Sequence, residues 1–130
     1  MPNDINKLKR LMSAANYLRK NDPVILRGNR LNQSGALKYA WWFEDFRKKL
    51  RTGVYRFSYF KTDGSIREAT GTLNVMLIPD DQMPKGVGTP AISTVPYFDL
   101  EKQEWRSFRI DLFIGSDGYL CEYCHDDLFG

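Results

Sequence analysis

The stretch FSYFKTDGSIREATGTL, residues 57–73, decides the fold. Alternating apolar and polar residues flank a turn signal, which is the pattern of two β-strands in a hairpin. TDGS can turn in two ways. A two-residue Asp63-Gly64 turn pairs Thr62 with Ser65 and sets Phe57 against Thr70. A three-residue Thr62-Asp63-Gly64 loop, with Gly64 left-handed, pairs Lys61 with Ser65. Tyr59 then faces Arg67, Phe57 faces Ala69 and Tyr55 faces Gly71. This second register puts large rings opposite small residues on one face, as the inside of a tightly curved sheet requires. It is the preferred reading, and it leaves Arg67 on the aromatic face. A guanidinium there needs an acidic partner, a ring to stack on, a ligand, or a stem packed on Tyr59 with its head in solvent.

Outward from the hairpin the chain divides into two textures. Upstream, the period is helical. Residues 4–20 carry Leu8, Leu11, Ala15 and Leu18 at helical spacing, with Ile5 beside them and Pro23 as a stop. A second helix runs from a cap near Ser34 to about Leu50. Its stripe is Ala36, Tyr39, Ala40, Phe43, Phe46 and Leu50, widened by Trp41; Trp42 is assigned to the polar side with Lys38, Asp45 and Lys49. Downstream, strands are expected at 54–61, 65–74, 92–99 and 104–110. A proline- and glycine-rich loop precedes the third, and a tail or hairpin follows 112. Val54, Phe57, Leu73, Phe98 and Phe108 are expected in the core with Phe43 and Leu50. The expectation is one domain over 1–130, of α+β class: two N-terminal helices (1–53) packed on a small, strongly bent antiparallel barrel (54–112).

Charge is divided as well. Residues 1–67 carry a net +10 and residues 68–130 a net −7, giving the overall +3. Either the halves neutralise each other in the fold, or the basic half serves an anionic partner. KLKR, LRK and RKKLR lie near aromatic residues, and small barrels bind single strands by stacking bases while cations track phosphates. Arg47, Lys48, Lys49 and Arg51 at the end of the second helix, with Trp42 beside them, are candidates for that role.

Catalytic chemistry has little to work with. His125 is the only histidine, Asp80-Asp81 and Asp126-Asp127 are adjacent pairs, and GVGTP lacks the strand and helix of a phosphate loop. CEYCH, residues 121–125, matches a haem-attachment pattern but has no export signal before it. Cys121, Cys124 and His125 make a poor zinc set, since neighbouring Cys124 and His125 strain a tetrahedral site. The expectation is no enzyme, no cofactor, no metal and two reduced thiols in the cytoplasm. No apolar run reaches the ~20 residues of a membrane span.

VYRFSYFKTDGSIREATGTLN, then PKGVGT, then VPYFDLEKQEWRSFR resembles the WYL-like family with an Sm-like, SH3-type β-barrel, over about residues 54–112. The resemblance implies a barrel of short, bent strands in small bacterial, phage or mobile-element proteins. Related domains act as ligand-sensing or nucleic-acid-responsive regulatory modules that use basic and aromatic residues on a barrel face. By that resemblance, Tyr59, Arg67, Trp105, Arg106 and Arg109 are the residues expected to play that part here. The functional expectation is a regulatory or accessory module that binds nucleic acid, single-stranded by preference, through its basic half and barrel face. A protein-docking adaptor and a small-ligand sensor are the alternatives.

Overall fold

The hairpin adopts the three-residue loop. In the computed structural model, which describes residues 2–84 and 91–116 with side chains from residue 5, Gly64 has φ +90° and Lys61 N donates to Ser65 O at 2.7 Å. Asp63 Oδ1 accepts from Ser65 N and Oγ, which holds its carboxyl below the usual range. Strands β1 (Val54–Phe60) and β2 (Ile66–Thr72) pair with Tyr55 opposite Gly71, Phe57 opposite Ala69 and Tyr59 opposite Arg67.

Strands β3 (Thr94–Asp99), β4 (Glu104–Arg109) and β5 (Phe113–Ser116) complete an antiparallel sheet in the order β4-β3-β2-β1-β5. The edge strands β4 and β5 are joined in sequence by one 3₁₀ turn, Ile110–Leu112. The edges of a flat sheet of this order would lie about 19 Å apart, whereas three residues reach about 10 Å. The sheet therefore curls into a barrel. Ring contacts close the interior: Phe108 of β4 lies 5.1 Å from Phe113 of β5 and 5.5 Å from Phe57 of β1, centroid to centroid. Strands β2 and β3 pair only at Gly71–Asp99 and Thr72–Phe98. A register shift at Ser58/Tyr59 adds twist against β5. Strand β5 carries the sheet past residue 112 to Ser116.

Helices α1 (Pro2–Lys20) and α2 (Gln33–Leu50) cover the barrel. The cap of α2 is Asn32 rather than Ser34; its Oδ1 accepts from Gly35 N at 2.7 Å. At the other end, Leu73 N and Thr72 Oγ1 both reach Leu50 O, so β2 satisfies a carbonyl that the helix leaves open. Phe98 is buried outside the main core, edge-on to Trp105 at 5.6 Å. Between β2 and β3 the described chain forms a 3₁₀ turn, Asp80–Gln82.

Four expectations are corrected. Trp42 is buried and stacks on Phe46 at 5.2 Å, while Trp41 is exposed. At 3.6 residues per turn Trp42 lies one turn from both Tyr39 and Phe46, and Trp41 points nearly opposite the stripe. On α1 the buried row is Leu11, Ala14, Ala15 and Leu18, and Ile5 and Leu8 are exposed. The reason is rotation: Lys7 sits over the Trp41 ring and Arg10 pairs with Glu44, so the row facing α2 is 7, 11, 14 and 18. Val54 is exposed at the barrel's margin, and Leu73 is only half-buried. Arg47 is the fourth correction and belongs with the site residues.

Candidate functional site

Of the residues nominated at the end of α2, two are structural. Arg47 falls on the apolar stripe, four residues after Phe43 and three before Leu50, and is 5% exposed. Its Nη2 donates to Ala91 O at 3.0 Å and Thr94 O at 2.8 Å, fastening α2 to the start of β3. Burial lowers its pKa from the ordinary arginine value. It is no surface cation, and neither is Trp42 a surface ring. Lys48 and Arg51 are exposed, and Lys49 is half-buried beside them.

On the barrel, Trp105 and Arg106 are also used by the fold. Trp105 Nε1 donates to Gln82 O, holding the loop that leads to β3. Arg106 pairs with Asp99, Nε to Oδ2 at 3.4 Å, and with Glu104. Both ion pairs lie within the acidic half of the chain, as does Arg109 with Asp111.

The remaining three nominees converge. Tyr59, Arg67 and Arg109 line one cleft of about 270 Å³ at the barrel rim, with Phe60, Lys61, Thr62, Thr94, Ser107, Phe108 and Leu112. The curl of the sheet makes this cleft by bringing β4 beside the β1–β2 hairpin. Its floor is Tyr59 and Phe108, stacked at 5.3 Å and 3% and 2% exposed, so Tyr59 is a buried floor residue and not a free stacking platform. Tyr59 Oη lies 2.6 Å from Tyr97 Oη inside the barrel. Burial and this hydrogen bond push the Tyr97 pKa up.

Charge in the cleft is one-sided. Its lining contains Lys61, Arg67 and Arg109 and no carboxylate. Arg109 is held from behind: Nη2 donates to Asp111 Oδ2 at 2.8 Å and Nε to Asp111 Oδ1 at 3.1 Å, while Tyr17 of α1 donates to Asp111 Oδ1 at 2.7 Å. These bonds raise the Arg109 pKa, and burial beside Asp111 raises that of Tyr17. Among the described residues no hydrogen bond or ion pair engages the head of Lys61 or Arg67. Lys61 and Thr62 were missed in the sequence; their place in the hairpin loop, next to the strand end bearing Arg67, is the signal that could have found them.

This geometry can hold an oxyanion, with cations and hydroxyls around a closed apolar floor. Among the described residues no group of three His, Cys, Asp or Glu could hold a metal, and no helix is long and apolar enough to cross a membrane. CEYCH and the rest of 117–130 lie outside the described residues, as does the PKGVGT segment at 85–90.

The family model WYL_2, Sm-like SH3 beta-barrel fold, matches residues 43–114. The chain belongs to the WYL_2 family. The match runs from within α2 to the first half of β5, so it takes in β1–β4 and every residue that lines the cleft, and α1 precedes it. A phage T4 protein described as "Uncharacterized 11.5 kDa protein in Gp31-cd intergenic region" is 32% identical over 83 residues, covering 62% of this chain and 81% of the phage protein. No solved structure matches the chain.

Proposed function

We propose that this WYL_2 chain is a non-enzymatic accessory module that binds single-stranded nucleic acid, with the rim cleft as the centre of the interface. The observation that carries the proposal is the pair of cationic heads, Lys61 and Arg67, which no described residue engages in a hydrogen bond or ion pair, beside Arg109 in a cleft with no carboxylate in its lining. Backbone phosphates supply the missing charge, and phosphate contacts give most of the affinity of such interfaces. Lys48 and Arg51 extend the cationic surface at the end of α2. The phage T4 relative supports a phage or mobile-element setting.

The test is fluorescence anisotropy with a labelled single-stranded oligonucleotide across a salt series. The expected result is binding at 50 mM salt whose log K falls by about 0.7 per phosphate contact per decade of salt. Binding indifferent to salt, or none at 50 mM, sinks the reading.

A protein-docking role has its own observation. Ile5, Leu8 and Met12 form an exposed apolar row on α1, the helix outside the family match, and Trp41 of α2 is exposed too. Asp at Leu8 and Met12 would disrupt a protein partner and leave oligonucleotide binding intact.

A further inference from the structure

We propose that the cleft takes the terminal phosphate monoester of a strand, not an internal phosphodiester; the inference rests on the nucleic-acid reading just given. Charge is the first argument. Arg109 is neutralised by its two bonds to Asp111, which leaves Lys61 and Arg67 as the two cations of the lining outside any ion pair, with Asp63 near Lys61 but not in the lining. An internal diester brings one negative charge. A monoester brings about −1.5 to −2 at pH 7, together with three strong acceptor oxygens.

Protons are the second argument. Two phenols carry two hydroxyl protons, and the Tyr59–Tyr97 contact uses one. The other needs an acceptor. Tyr59 lines the cleft and Tyr97 does not, so with Tyr97 as donor the Tyr59 proton is offered to the cleft. Lys61, Arg67 and Arg109 can only donate. The charged groups of the lining thus offer their occupant donors alone, as a group rich in acceptors requires.

Shape is the third. The floor is barrel core, so the cleft is closed at its base. A strand end can enter it with one sugar behind the phosphate. An internal diester would need room for a sugar on both sides.

The experiment compares one internally labelled oligonucleotide in three forms: 5′-phosphate, 3′-phosphate, and hydroxyl at both ends. The full chain should bind one phosphorylated form about tenfold or more tighter, since hydrogen bonds to charged groups are lost with the phosphate. That preference should vanish in Arg67→Ala and in Lys61→Ala, both at part-exposed positions, and shrink below about pH 6 as the monoester gains a proton. Equal affinity for all three forms, with salt-dependent binding intact, overturns the strand-end proposal and leaves the nucleic-acid reading standing. Binding of none of them overturns the nucleic-acid reading itself. A nucleoside monophosphate that competes as tightly as the phosphorylated strand overturns the proposal in favour of a small phosphorylated ligand.

Discussion

Gly71 lies directly under Tyr97: a Cβ added to Gly71 would sit 2.6 Å from Tyr97 Cδ2 and 3.0 Å from the Phe57 ring. Gly71 pairs with both β1 and β3, and two rings close over its bare backbone. Gly71→Ala should therefore destabilise the fold by about 1–3 kcal/mol through overpacking. Urea unfolding followed by tryptophan fluorescence measures it. A midpoint within error of wild type would show that the rings can move aside.

Arg47 and Lys48 are neighbours with opposite fates, one buried and one exposed. Arg47→Ala leaves Ala91 O and Thr94 O without their donor and opens a space under α2. It should cost about 2–4 kcal/mol. Lys48→Ala should stay within about 0.5 kcal/mol. Thermal melts of the two variants decide it; equal melting temperatures would contradict the placement of Arg47.

That contrast shows what could be read in advance. The hairpin register was legible because, of the two turns TDGS allows, only the three-residue loop sets the rings opposite Gly71 and Ala69. The face of α2 was not. The helix packs against the barrel on one side and α1 on another, so its buried arc widens to include Trp42, and a charged residue on the stripe can be buried if carbonyls receive it. The row on α1 was misjudged because Lys7, a charged residue, lies on the contact face through its place over Trp41. The sequence nominates Tyr59, Arg67 and Arg109 together with Trp105 and Arg106, on one barrel face of an expected curled sheet. Patterning does not say which of the five share a cleft, because that depends on the contacts that give Trp105 to Gln82 and Arg106 to Asp99.

Tyr39 is fully buried, and its hydroxyl has no hydrogen-bond partner among the described residues. Removing that hydroxyl should relieve a desolvation penalty, so Tyr39→Phe should be neutral or more stable by about 1 kcal/mol. The same residue bears on alkaline stability. Burial raises the pKa of Tyr39, as it does those of Tyr97 and Tyr17, above the ordinary value of 10.0. Above pH 10 the unfolded chain releases these protons while the folded chain keeps them. The unfolded state then binds fewer protons, and stability falls as pH rises from 10 toward the folded pKa values. Below pH 10 both states are protonated and the contribution is constant. Urea midpoints from pH 8 to 11 should decline only at the upper end, less steeply in Tyr39→Phe. A flat profile through pH 11 would refute the account.

The last expectation divides the proposed interface into parts. If phosphates contact both the cleft and the end of α2, each cation removed from either place should reduce the salt slope, by about 0.7 for a full contact on a single strand. Lys61 and Arg67 are in no described ion pair, and Lys48 and Arg51 are exposed, so none of the four needs an internal ion pair broken before it meets a phosphate. Arg106 differs, since Asp99 and Glu104 already hold it. The double variant Lys61→Ala/Arg67→Ala should lower the slope by about 1.4 and weaken binding most. Lys48→Ala/Arg51→Ala should lower it by a similar or smaller amount, and Arg106→Ala should leave it unchanged. Anisotropy titrations at four salt concentrations give all three slopes. If only the α2 pair alters the slope, the strand runs along the helix end, and the cleft is no part of its path.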